Sequence, residues 1–235
     1  MSILLFLLAA AAQAPQSDVD VRETRAMVHS YGECVVKTQQ KRASEAILAN
    51  VDNGTLLRRY RRLIDPGCVP RRPGETVQMR FHGDQYRYAL ADALVRKELA
   101  GVPAPKLDSV PRLDHRDPGP PPTRISASGK TIKEADYQEA VAGYERAQAF
   151  TFLSRYGECV VRANPEATKA LLLTVPSTPE ESAQFAALGP ALSACLPGDG
   201  ETLKLGKLAI RGTLGVNYYR LAKAAEAVRI AGEQG

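Results

Sequence analysis

The chain has 235 residues, a formal net charge of +5 and no tryptophan. Aromatic residues make up only 6% of it, and its apolar positions recur at helical spacing, so the sequence predicts a mainly α-helical fold. No segment has the roughly 20 consecutive apolar residues that a membrane-spanning helix needs. The sequence therefore contains no candidate transmembrane helix.

Residues 3–12 are all apolar. This run is too short to cross a bilayer, but it suits the apolar core of a secretory signal peptide. Cleavage after Ala14 would leave Pro15 as the new N-terminus, which proteases accept poorly, so we expect a signal peptide of residues 1–12. The basic residues that usually precede such a core are missing, and a helical or disordered apolar N-terminus is the alternative. The sequence predicts an exported protein, periplasmic or secreted.

Residues 17–100 are predicted to form a first helical unit. Its first helix is expected to begin near Ser17 or Asp18 and carries the hexapeptide Tyr31-Gly32-Glu33-Cys34-Val35-Val36, with Cys34 on the buried stripe. A second helical segment, residues 56–64, leads to Cys68 in a turn with prolines. Residues 76–81 alternate between apolar and polar and predict one short β-strand, and a last helix is expected after Gly83.

Residues 101–130 contain seven prolines and should form an extended, semi-stiff linker. A second unit, residues 131–235, follows it. There Thr131 and Glu134 are expected to cap the first helix, Asn164 the next, and Thr178 the helix that leads to Cys195. Residues 202–205 predict the second short strand, and the last helix is expected to begin after Gly212.

The two units resemble each other along their whole length. The hexapeptide occurs again 125 positions later, as residues 156–161. Each copy is followed by a second cysteine, then by a run of alternating apolar and polar residues, and then by an apolar-basic-glycine triplet that ends at Gly83 or Gly212. Because chance does not give this order twice, we interpret the chain as a duplication. The predicted fold is thus mainly α, with two duplicated, disulfide-stapled helical units that each have one short β-strand.

Four cysteines in an exported protein predict two disulfides, for which three pairings are possible. Duplication selects Cys34 with Cys68 and Cys159 with Cys195, because each unit must have folded alone before it doubled. Each bridge would close a loop of about 35 residues, which stabilises the fold by roughly 3.8 kcal/mol. A zinc site is the rival, but there is no Cys-x-x-Cys pair and the three histidines are not clustered, so no metal or other cofactor is expected.

Glu33 and Glu158, the repeated glutamates, are the candidates for chemistry, since a carboxylate beside a buried cysteine could act as a general acid or base. The alternative is a glutamate paired with a basic residue, for which His82 and Arg211 are the expected partners. No nucleophile elbow, metalloprotease helix or phosphate-binding loop is present, so no catalytic residue is assigned.

The two units differ most in the distribution of their basic residues. Six arginines lie close together in the first unit, where the second has Glu180 and Glu181: Arg58, Arg59, Arg61, Arg62, Arg71 and Arg72. Such a cluster can bind phosphate or carboxylate polymers, such as lipid head groups or cell-wall anions. The alternative is a solvated helix face, and nucleic acid is not an expected partner of an exported protein.

The duplicated Tyr-Gly-Glu-Cys-Val-Val hexapeptide, with a second cysteine beside a Pro-Gly turn, resembles uncharacterised exported proteins of alphaproteobacteria. That resemblance covers both units and implies a periplasmic location without an activity. The sequence thus predicts a non-enzymatic envelope protein that binds a protein partner or an anionic envelope component through its arginines. The rival hypothesis is a cell-envelope hydrolase that uses Glu33 or Glu158, which requires a buried glutamate without a basic partner in an open cleft.

Overall fold

The computed structural model describes residues 18–69, 81, 84–126, 128–196 and 205–233. Its helices are α1 (Asp18–Leu48), α2 (Asn53–Arg59), α3 (Gln85–Leu94), α4 (Glu134–Ala163), α5 (Pro165–Leu173), α6 (Pro179–Ala194) and α7 (Lys207–Glu233). Short 3₁₀ turns follow α2 at Arg61–Leu63 and Pro66–Cys68, and α3 runs on into a π-helical turn at Val95–Leu99. The fold is therefore mainly α, as predicted. None of the described helices is both long enough and apolar enough to cross a membrane.

The first helices of the two halves are interrupted at matching sequence positions. α1 is kinked at Gln39, which has non-helical backbone angles, and Asn164 separates α4, which ends at Ala163, from α5. The interval between these positions, 164 − 39 = 125, is the interval between the two hexapeptides. The Asn164 side chain accepts a hydrogen bond from the Ala167 N–H at 2.9 Å, which confirms the predicted cap and explains why α5 starts as a separate helix.

The hexapeptide glycines let helices approach closely. A Cβ at Gly32 would overlap the backbone carbonyl of Ala89 in α3, and a Cβ at Gly157 would lie 3.0 Å from the carbonyl oxygen of Thr213 in α7. The valines after each cysteine are at most 1% exposed, so the hexapeptide also supplies the centre of the core. A side chain at Gly32 would separate α1 from α3, and one at Gly157 would displace the α7 side chains of Thr213 and Asn217.

The hexapeptide tyrosines hold the segments that carry the second cysteines. Tyr31 Oη accepts a hydrogen bond from the Asp65 N–H at 3.0 Å, and Tyr156 Oη donates to the Leu192 carbonyl at 3.2 Å. Asp65 and Leu192 each lie three residues before a bonded cysteine.

Disulfides join Cys34 to Cys68 and Cys159 to Cys195, the pairs that the sequence predicted. Formed disulfides of this kind are typical of proteins outside the reducing cytoplasm.

Helices α3 and α7 join the two halves in one core. Gly212 packs on the Tyr88 ring, and Gly215 packs near Ala91 one turn further along. Leu90 and Leu94 of α3 and Leu214, Tyr218 and Leu221 of α7 are all at most 1% exposed. The core consequently runs from one half into the other.

The proline-rich segment between the halves is extended but firmly packed. Leu107 and Val110 are buried in the core. Arg162 of α4 donates to the Leu107 carbonyl at 3.1 Å and to the Pro111 carbonyl at 2.6 Å. Arg220 of α7 donates to the Asp114 carbonyl at 2.8 Å. The segment is therefore held against α4 and α7 between Leu107 and Asp114.

Other sequence expectations need correction. Most of the two predicted strands, residues 76–80 and 202–204, lies outside the described residues, and the part of the chain that is described contains no strand, only an isolated bridge between Ile125 and Thr131. That bridge holds Thr131 extended, so α4 begins at Glu134 without a side-chain cap. Gly212 lies inside α7, which begins five residues earlier, at Lys207.

Candidate functional site

The two repeated glutamates are both paired with histidines. The Glu33 side chain is 50% exposed and lies 3.2 Å from His29 Nε2, one turn earlier in α1. The Glu158 side chain is 6% exposed and lies 2.6 Å from Nε2 of His115 in the proline-rich segment. Neither glutamate is a buried carboxylate without a basic partner, so the arrangement required by the hydrolase hypothesis is not present at these residues.

Glu158 is held as a carboxylate. Burial alone would raise its pKa, but hydrogen bonds from Arg162 Nε at 2.7 Å, from the Leu113 N–H at 3.1 Å and from His115 outweigh burial and bring the pKa below its usual range. A carboxyl that stays ionised cannot donate a proton as a general acid. Its contacts instead fasten the proline-rich segment to α4.

A buried ion-pair network connects four helices. Glu181 of α6 is 0% exposed and accepts from Arg25 of α1 at 2.6 Å and from Arg211 of α7 at 3.1 Å. Arg211 also lies 2.9 Å from Asp92 of α3, whose other oxygen lies 2.9 Å from His29 Nδ1. Arg96, in the π-helical turn after α3, also lies 3.3 Å from Asp92. Each carboxylate therefore has at least two basic partners, the arrangement that buried charges require.

Arg211 and Arg96 also bind the C-terminal end of α5. Arg211 donates to the carbonyls of Leu171, Leu172 and Thr174 at 2.8–3.0 Å, and Arg96 donates to the Leu173 and Thr174 carbonyls. Guanidinium groups are favourable there because the last carbonyls of a helix lack partners within it. The adjoining cavity is about 20 Å³, enough for about one water molecule but not for a substrate. This network is structural.

Arg211 was expected to pair with one of the repeated glutamates, and its actual partners are Asp92 and Glu181. Its counterpart is also different from the expected one. Gly32 contacts Ala89 in the first half, and Gly157 contacts Thr213 in the second. Ala89 and Thr213 are therefore equivalent positions, 213 − 89 = 124 residues apart. The same interval makes Arg87, and not His82, the equivalent of Arg211. Arg87 is buried and donates to Asn50 just after α1, as Arg211 donates to Thr174 just after α5. His82 itself lies outside the described residues.

The arginine cluster lies at the surface. Arg58 and Arg59 end α2, Arg61 and Arg62 begin the 3₁₀ turn, and all four are exposed. The α-helix ends at Arg59, so Arg58 and Arg62 do not share one α-helical face. Arg71 and Arg72 fall outside the described residues.

Partners of the cluster are few. Arg58 donates to Thr55 Oγ1 at 3.2 Å, and the Arg59 guanidinium lies 5.8 Å from the Tyr60 ring centroid. Within the described ranges, no carboxylate lies within 4.0 Å of any of the four guanidinium groups. The four positive charges are thus not neutralised by the described part of the protein.

A groove of about 900 Å³, here called the α2–α4 groove, begins beside this cluster. It lies between α2, the start of α3, the middle of α4 and the start of α7. The residues that define its polar and apolar sides include Asn53, Arg58, Asp84, Arg116, Arg146 and Phe150. The spacing of residues along the sequence does not predict this groove, because its walls come from segments that are far apart in the chain.

Neither metal ligands nor known relatives explain these features. Among the described residues, no group of three or more histidine, cysteine, aspartate or glutamate side chains could hold a metal ion. Comparison with protein-family models, with curated proteins and with solved structures found no match to this chain.

Proposed function

We propose that this protein is an exported, non-enzymatic component of the bacterial cell envelope that binds the anionic surface of a lipid membrane through its arginine cluster. Its two halves arose by duplication, and only the first half acquired the cluster. The second half serves mainly to complete the core.

Export is supported by two kinds of observation. Two disulfides are formed, and the apolar run of residues 3–12 has the composition of a signal-peptide core. Export with cleavage after Ala12 gives a mature chain that begins at Gln13. The intact mass of the protein recovered from the periplasm tests this step, and a full-length mass there would contradict it.

The absence of an assigned activity is supported by the roles of the titratable groups. Glu33, Glu158, Asp92 and Glu181 each have basic partners, and the last three have pKa values held below the usual range. Their contacts join helices to each other or to the proline-rich segment. No pair of these groups meets in an open cleft.

The observation that carries membrane binding is the composition of the exposed surface around the cluster. Arg58, Arg59, Arg61 and Arg62 are exposed, and Ile64, two residues later, is a large apolar side chain with 46% exposure. Tyr60 is half-buried between the arginines. Basic residues mixed with apolar and aromatic ones suit the interface of an anionic bilayer, where guanidinium groups meet phosphates and the apolar side chains reach the acyl boundary.

Vesicle co-sedimentation tests the proposal. The full mature chain should bind vesicles that contain anionic phospholipid, bind neutral vesicles poorly, and lose binding as salt is raised. Each arginine near the surface contributes roughly 1 kcal/mol, so replacing Arg58, Arg59, Arg61 and Arg62 by glutamine should weaken binding by up to roughly a thousandfold. The matched control replaces four other exposed basic residues, Arg22, Lys37, Lys41 and Arg155, which changes the net charge equally.

Three outcomes would contradict the proposal. Equal losses in the cluster variant and the control would indicate a general charge effect. Retained vesicle binding in the cluster variant would mean that the cluster is a solvated surface. Binding to a soluble polyanion such as heparin without binding to vesicles would indicate a polyanion site instead of a membrane site.

A further inference from the structure

The α2–α4 groove has the size and chemistry of a small-molecule site. Its volume of about 900 Å³ lies in the range of ligand-binding clefts. We propose that it binds one single-chain amphiphile, an acyl chain that ends in a carboxylate. This site is separate from the membrane-binding surface, with which it shares Arg58 alone.

The groove contains positive charges that have no acidic partner in the described part of the chain. Arg146 of α4 is exposed and has no hydrogen-bond or ion-pair partner among the residues that the structure describes. Arg58 enters the groove from α2 with only the Thr55 hydroxyl as a described partner. Arg116, by contrast, is paired with Asp52. Two guanidinium groups without described acidic partners beside one groove favour an anionic ligand group.

The remaining carboxylate of the groove does not cancel these charges. Asp84 accepts a hydrogen bond from the Asn53 N–H at 3.1 Å and is attracted by the buried guanidinium of Arg87 behind it. Arg87 is 4% exposed, lies against Phe150 and donates to Asn50. Asp84 is thus attracted to Arg87 behind the groove wall and forms no described ion pair with Arg58 or Arg146, which leaves those two arginines for the ligand.

The rest of the groove is largely apolar. Phe150 and Leu153 of α4 and Leu208 and Ala209 of α7 line it, and the last three are only partly buried. An acyl chain laid on them would cover carbon surface that now faces water. The groove therefore has an apolar wall that the described residues leave uncovered.

Calorimetric titration of the full mature chain with dodecanoate, below its micelle concentration, tests the proposal. We expect saturable binding at one site and about fourfold tighter binding for each added methylene from decanoate to tetradecanoate. Dodecanol and dodecyltrimethylammonium, which have the same chain without a negative charge, should bind at least tenfold more weakly. The loss of one charged hydrogen-bond donor in Arg146→Gln should weaken dodecanoate binding about 10- to 100-fold.

Three variants separate the groove from other sites. Ala147→Phe fills the groove from a half-buried position on α4 and should abolish binding without altering the charge. Arg155→Gln removes an equally exposed arginine on α4 that does not line the groove and should leave binding unchanged. A triple Arg59, Arg61 and Arg62 to glutamine variant should lose vesicle binding and keep dodecanoate binding. Thermal melting checks that each variant is folded.

The proposal is overturned if dodecanol binds as tightly as dodecanoate, or if no saturable binding occurs. It is also overturned if Arg146→Gln and Ala147→Phe bind dodecanoate as well as the unchanged chain does. Equal weakening in Arg146→Gln and Arg155→Gln would likewise contradict it, because a general charge effect needs no groove.

Discussion

Gly32 of α1 lies directly against the backbone carbonyl of Ala89 in α3, so closely that a single methyl group cannot be added. The equivalent Gly157 of α4 lies against α7, but its nearest neighbours are the side chains of Asn217 and Thr213. Gly32 thus contacts backbone, which cannot move independently of α3, whereas the nearest neighbours of Gly157 are side chains that can rotate.

We predict that Gly32→Ala destabilises the protein more than Gly157→Ala does. The first change must separate two helices, at a cost of about 3 kcal/mol or more, whereas the second can be relieved partly by side-chain rotation, at about 1–2 kcal/mol. Urea denaturation monitored by circular dichroism measures both. Gly143→Ala is the control: its Cβ would meet only a flexible arginine, and alanine favours the helix, so stability should rise slightly.

Two adjacent glutamates in α6 offer a matched comparison. Glu181 is fully buried between Arg25 and Arg211, while Glu180 is exposed. Glu181→Ala leaves two buried guanidinium groups without their shared partner and should cost about 3–5 kcal/mol. Glu180→Ala should leave the free energy of unfolding almost unchanged. Similar denaturation midpoints for the two variants would show that the network contributes little.

Acid should unfold the protein through these same carboxylates. Burial raises the pKa values of Asp92, Glu158 and Glu181, but their basic and N–H partners outweigh it and lower them overall. A group whose pKa is lower in the folded state stabilises the fold above its unfolded-state pKa of about 4, and that stability is lost as the pH falls through the folded-state pKa.

The urea midpoint should therefore be constant above about pH 6 and fall steadily below pH 5. Burial raises the pKa of Asp84, so protonation of this group favours the folded state as the pH falls. That effect comes from one group and opposes the effect of the three carboxylates. Glu181→Gln should flatten the profile because one of the three titrations is removed. A midpoint that stays constant down to pH 3 would contradict the assignment.

The two disulfides differ in their access to solvent. Cys68 is buried and Cys34 half-buried, whereas Cys159 is exposed and Cys195 half-buried. Because a reductant must reach the sulfur, we predict that Cys159–Cys195 is reduced first in the native state. Mild phosphine treatment, alkylation and peptide mapping over time measure the order. Simultaneous reduction of both bridges would indicate that global unfolding limits the reaction.

Sequence patterns were informative where interactions are local. The caps at Asn164 and Thr178 depend on hydrogen bonds three residues away, and both were predicted. The disulfide pairing followed from the duplicated order of cysteines. The ion-pair network was not predicted, because Arg25 and Glu181 are 156 residues apart and neither has a spacing that reveals its partner. The sequence pattern matches Arg211 to His82 and not to Arg87, because it predicts a helix start after Gly212 whereas α7 begins at Lys207.

The crossing of α3 and α7 has a consequence for the history of the chain. A shift of 124 residues carries Tyr88 onto Gly212 and Ala91 onto Gly215, and these are the residues that meet each other across the crossing. In a twofold interface between identical subunits, a residue of one subunit contacts its partner residue in the other, and the reverse contact is also made. Contacts between equivalent positions, such as these, are typical of that symmetry. Under the proposed duplication, the half-length ancestor was a homodimer that was later fused into a single polypeptide. Residues 18–99 expressed alone would present the vacated face of α3, and we expect that fragment to associate with a second copy through it.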